Sequence, residues 1–144
     1  MNRTLSALFA FSLLAFLIGC SPTETEQSDP YAALPRPDAD NGGIQLPDDF
    51  GAVVVVDSIG RGRHLAVRDN GDIYLRLRRL LTDDSTGIAA LRDTSGDGKA
   101  DLIESFGVGT GTEVVLHDEY IYYSSPTRVY RQPLPDGQLL PEPQ

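Results

Sequence analysis

From Ile44 onward the chain alternates short apolar runs with polar, glycine-rich breaks. Residues 52–58, 63–69, 72–79, 87–93, 102–107, 113–119, 120–125 and 128–134 read as strands, being short, rich in β-branched and aromatic residues and bounded by turn formers. Over 72–79, Ile73, Leu75 and Leu77 alternate with Tyr74, Arg76 and Arg78, which predicts one buried and one wet face. Asn70-Gly71 is a two-residue hairpin signal. No segment carries a helical period, so the expected class is all-β.

The pattern repeats. "HLAVRDNGDIYLRL" and "EVVLHDEYIYYSS" share an apolar strand, an acidic turn and an Ile-Tyr pair that leads a second strand. Ile73-Tyr74 and Ile121-Tyr122 stand one β-propeller blade period apart, since a blade puts four strands into about 40–50 residues. About two blades are expected, and a small sandwich is the alternative. Two open blades expose faces and edges that closure hides. A fragment of a longer propeller, a protein partner covering the open edges, or another architecture would each resolve that.

The region before Ile44 is of another kind. Asn2 and Arg3 precede an apolar stretch, Leu5 to Ile18, that ends in Gly19-Cys20, the pattern of a secretory signal and too short for a bilayer span of about 20 residues. The Leu-x-Gly-Cys close resembles the bacterial lipobox. That resemblance implies a signal peptide over 1–19, a lipidated Cys20 and, with Ser21 following, anchoring at the Gram-negative outer membrane facing the periplasm. Cys20 is the only cysteine, so no internal disulfide can form. Residues 21–43 hold four prolines, five acids and one arginine, so 20–43 is expected to be a disordered tether and 44–144 the folded body.

Charge narrows the partners. Loss of residues 1–19 removes Arg3 and leaves 11 basic against 21 acidic residues, a net charge of −10. Nucleic acid and anionic lipid select the opposite balance. Arg61, Arg63, Arg68, Arg76, Arg78 and Arg79 form a basic block, expected on the solvent side of a half-buried sheet; it could otherwise meet lipopolysaccharide phosphates or a partner protein.

The stretch "DTSGDGKAD" offers candidate chemistry. Counted as a calcium loop, it places Asp93, Ser95, Asp97, the Lys99 carbonyl, Asp101 and Glu104 at ligand positions, with Gly98 at the sharp turn. Its flanks are strands, which excludes an EF-hand. The same residues also suit a solvated hairpin turn, and both readings stand. His64 and His117 lack a local constellation for acid–base work and are expected to be ordinary strand-end histidines.

Four segments, "LPDDF", "RHLAVRDNGDIY", "ALRDTSGDGKAD" and "YIYYSSPTRVYR", together resemble the start of the glucose/sorbosone dehydrogenase family. The likeness runs from about Ile44 to Leu140. It implies part of a six-bladed β-propeller, a pyrroloquinoline quinone (PQQ) cofactor and an aldose sugar substrate, oxidised as a histidine base takes the proton and hydride passes to PQQ. No residue here matches that base, and the family's early glutamine has no counterpart near Val108–Gly111. The chain is therefore expected to be a fragment without its own catalytic residues. The alternative is a non-catalytic, envelope-anchored calcium-binding β-module for a glycan or protein.

Overall fold

The computed structural model describes residues 34–79 and 86–143. The expected signal peptide and the lipidation site Cys20 lie outside the described residues, as do residues 80–85. Strands β1 (Arg61–Val67), β2 (Ile73–Arg79), β3 (Thr86–Arg92) and β4 (Leu102–Val108) form one antiparallel sheet in chain order. Strands β5 (Val114–His117), β6 (Tyr120–Ser124) and β7 (Val129–Pro133) form a second. A single 3-10 turn, Asn41–Gly43, precedes them, and no α-helix occurs among the described residues. None of their helices is long and apolar enough to cross a membrane.

Local chemistry sets the hairpins. Between β1 and β2 the Gly71 amide closes on the Arg68 carbonyl at 2.9 Å, with Gly71 at φ 89°. That φ is open to glycine and strained for other residues. Asn70 accepts from the Asp72 amide and donates to its carboxylate, so the tight turn is held twice. Val67 is thereby placed opposite Ile73 and Leu65 opposite Leu75.

The two sheets pack face to face. Tyr74, Ile88 and Ala90 from the first meet Val114, Ile121 and Tyr123 from the second, and Leu134 and Leu139 fill the same core. Phe106 sets its ring edge-on to Tyr74 at 6.1 Å and to Tyr123 at 6.2 Å. Such contacts add about 0.5–1.5 kcal/mol each to the area term.

Seven of the expected strands form, and residues 52–58 do not. Their backbone is taken by the preceding segment instead. The Ala52 amide donates to Asn41 Oδ1 and the Val54 amide to Asp38 Oδ2, while the Ala52 carbonyl accepts from the Asp38 amide. The Val55 carbonyl accepts from Ala100, tying this strap to the first sheet. The hydrogen-bonded body thus reaches back before Ile44, into the expected tether, to Asp38 at least, whose carboxylate also holds Lys99 Nζ at 2.8 Å.

A second correction concerns β2. Over its first half the face expected to be wet is the more deeply buried one, because the second sheet covers it: Tyr74 and Arg76 are 0% exposed and Ile73 and Leu75 half-buried, whereas Leu77 is buried and Arg78 exposed as expected. Arg76 therefore leaves the expected solvent-facing arginine block, and Arg68, with a side chain 12% exposed, leaves it too. Arg61, Arg63 and Arg78 are exposed as anticipated.

Candidate functional site

The acidic stretch forms the connection from β3 to β4. Asp93 leads it, and its carboxylate accepts from the amides of Ser95, Gly96 and Gly98 at 2.7–2.9 Å. Asp101 closes it, with Oδ2 accepting from the amides of Thr94 and Ser95 and from the Thr94 hydroxyl. Asp97 Oδ1 caps the Lys99 amide. These amide donors hold the Asp93 carboxyl below its ordinary value, those of Gly98 and Gly96 foremost; Thr94 does the same for Asp101.

Asp93, Ser95, Asp97, Lys99 and Asp101 thus share one loop, but Glu104 does not join them. Glu104 sits on β4 opposite Ala90, two register pairs below Arg92 and Leu102. It lies three residue steps along the strand from Asp101, about 10 Å at the usual rise. An EF-hand brings its twelfth ligand back on a helix; a strand carries it away. Among the described residues no group of three or more His, Cys, Asp or Glu is arranged to hold a metal. As placed, Glu104 stands apart from the loop, and the carboxylates of Asp93, Asp97 and Asp101 accept from amides of the turn itself.

A cleft of about 560 Å³ opens between the β1–β2 turn, the β5–β6 turn and the segment after β7. Val67, Leu116 and Leu134 give it apolar lining, and Asp69, Asn70, His117, Asp118, Tyr120 and Asp136 polar lining. Its one arginine is committed. Arg68 donates to the carbonyls of Leu134, Pro135 and Gln138 and to Asp136, clamping the segment after β7. Beside it Arg92 grips the buried Asp72 through two bonds of 2.7 Å and reaches the Gly137 carbonyl. Repeat similarity flagged the two turns, but nothing in the local sequence signals that Leu134–Gly137 would close the third wall.

Two residues named from the sequence take up contacts that their local sequence does not signal. Arg76 is buried between the sheets with its Nη2 on the Ser124 carbonyl at 2.6 Å and its guanidinium 5.3 Å from the Tyr123 ring centre. Its Nε and Nη1 have no partner. Gly87 and Gly111 lie directly against it, leaving no room even for a Cβ. His64 turns Nδ1 toward Glu113 just before β5, a pairing of residues distant in sequence and both about half exposed. A carboxylate can orient a histidine for base work, yet the cleft does not reach this pair. His117 stands 3.6 Å from Asp118, both largely in solvent.

A PQQ molecule carries three carboxylates and needs cations around it. The cleft presents Asp69, Asp118 and Asp136, with Arg68 already spent, and Arg76 is sealed by glycine backbone. The cleft does not fit that cofactor. No protein-family model, no curated protein and no solved structure matches the chain.

Proposed function

We propose that this chain is an envelope-anchored module made of two consecutive blades of a β-propeller of the PQQ-dependent sugar dehydrogenase type, held at the outer membrane through a lipidated Cys20. The strand order carries this reading. A four-stranded meander is followed by a second meander packed on its face, and Ile-Tyr recurs on the second strand of each. Up-and-down sheets stacked face to face are the unit from which propellers are built.

In this reading the chain supplies scaffold and a polar cleft, not a reaction centre. Purified protein given PQQ, calcium, a panel of aldoses and a dye acceptor is expected to reduce no dye; measurable turnover would move the active site into this chain. The anchor is tested separately. Labelling cells with a palmitate analogue should mark the protein, and Cys20→Ser should abolish the label.

The cleft favours a second, non-catalytic reading. A lining that mixes apolar side chains with carboxylates, an amide and a tyrosine suits a glycan, whose hydroxyls need acceptors and whose ring faces need apolar surface. Glycan-array binding that Asp69→Ala and Tyr120→Ala both remove would favour it over the scaffold role.

A further inference from the structure

Two Asn-Gly pairs occur in the chain, Asn41-Gly42 and Asn70-Gly71. Asn-Gly is prone to react with itself, because glycine carries no side chain to shield its amide nitrogen from the asparagine beside it. That nitrogen can attack Cγ and expel ammonia. Local sequence does not separate the two pairs, since an aspartate precedes each.

The fold treats them differently. At Asn70 the groups that would react are occupied. The Gly71 amide donates to the Arg68 carbonyl at 2.9 Å, an acceptor too weakly basic to take its proton. Asn70 Nδ2 donates to Asp72 Oδ2, which Arg92 holds in place, and Oδ1 accepts from the Asp72 amide. The side chain is clasped at both ends.

At Asn41 the same groups meet other neighbours. The Gly42 amide donates to Asp40 Oδ1 at 3.1 Å, so the proton of the attacking nitrogen already points at a carboxylate. Asn41 Oδ1 accepts from the Ala52 amide at 3.0 Å, which draws electron density from Cγ and suits the oxyanion that forms there. Among the described residues no hydrogen bond holds Asn41 Nδ2, the leaving group.

We propose that Asn41 is a self-modification site, converted by the fold to aspartate and isoaspartate, with Asp40 as base and the Ala52 amide as oxyanion donor, while Asn70 is protected. The Gly42 nitrogen bonds to Asn41 Cγ as its proton passes to Asp40. The Cγ–Nδ2 bond then breaks, and Nδ2 leaves as ammonia with that proton. Water opens the resulting five-membered imide at either carbonyl, one giving aspartate and the other isoaspartate. Nothing is oxidised or reduced, and water is the only co-reactant.

The consequence falls on the strap. Asn41 and Asp38 hold it through the Ala52 and Val54 amides. Either product adds a carboxylate beside Asp38 and Asp40, where like charges repel. Isoaspartate also routes the main chain through the former side chain, so the acceptor for Ala52 is lost. The strap therefore loosens as the molecule ages.

The inference depends on neither the blade reading nor the glycan reading. The full chain is incubated in warm, neutral buffer and both sites are followed by peptide mass mapping, with isoaspartate resolved by its retention. Asn41 is expected to gain about 1 Da as amide becomes acid, at least about tenfold faster than Asn70, the margin that a positioned base readily supplies. In denaturant the two rates should converge, since only the fold separates them. Asp40→Ser keeps an acceptor for the Gly42 amide without a base and should slow Asn41 by more than about tenfold. Asn41→Asp, which mimics one product, should speed limited proteolysis of residues 34–57 and leave strand circular dichroism unchanged. Native Asn70 converting as fast as Asn41 overturns the proposal. So does an unchanged rate in Asp40→Ser, which would mean that solvent takes the proton. A strap in Asn41→Asp as resistant as in the wild type would overturn the loosening.

Discussion

A glycine on β3 leaves the space that Arg76 and the backbone after β4 occupy. The Gly87 Cα lies against the Gly109 carbonyl and the Arg76 guanidinium, so any side chain there collides with backbone that cannot rotate away. Gly87→Ala is expected to destabilise by about 2–3 kcal/mol, the upper range for overpacking a filled interior, read as a lower denaturant midpoint at unchanged slope. The neighbouring Arg76 explains why this point is tight. A guanidinium buried with two unpartnered nitrogens is unfavourable by itself, and the Tyr123 ring and the Ser124 carbonyl offset part of that. Nothing in the alternation of β2 distinguishes Arg76 from its exposed neighbour Arg78. Strand periodicity assigns a side chain to a face, but which face another sheet covers is decided by the far half of the chain.

At the scale of elements, strands and turns were legible because their signals are local. Gly71 has the positive φ that the turn needs, though Arg68 and Asp72 close a three-residue loop in place of the expected two-residue one, and the runs from β1 to β7 pair as strands. Residues 52–58 misled because four valines carry β propensity but no partner; a strand exists only in a ladder, and Asp38 and Asn41 occupy this backbone instead. The acidic loop was legible as a turn, while its metal reading depended on Glu104, which the β3–β4 register carries away. Millimolar calcium is accordingly expected to leave the melting temperature unchanged; a clear rise would reinstate a cation there by mass action. The segment after β7 is held chiefly by Arg68, through four hydrogen bonds to Leu134, Pro135, Gln138 and Asp136. Arg68→Ala should destabilise by about 2–3 kcal/mol, given that bonds to a charged donor each contribute more than neutral ones. It should also open residues 134–143 to limited proteolysis before the sheets unfold.

Across the whole molecule, acid is the condition these contacts resist least. Burial by itself would raise the Asp72 carboxyl, but the hydrogen bonds from Arg92 and Asn70 and the charges of Arg92 and Arg68 outweigh it and hold the group below its ordinary value. Asp38 is held low by Lys99 and the Val54 amide, and Asp93 and Asp101 by the amides of their loop. All four carboxyls shift the same way, so the sign is common to them. A folded value below the unfolded one adds stability that is complete above the unfolded value, about 4, and is lost as pH falls through the folded value. Melting temperature should therefore be flat from neutral pH to about 5 and drop steeply below about 4. Asp72→Asn separates the buried pair from the exposed turn. It removes the charged partner of Arg92 and should destabilise by roughly 2–3 kcal/mol at neutral pH, less than a fully buried pair because Arg92 retains some contact with water. Because the introduced amide cannot titrate, the gap between variant and wild type should narrow as the pH falls. A gap that stayed constant down to acid unfolding would mean that the charge on Asp72 is neutral to folding, and that the loop carboxylates carry the acid sensitivity.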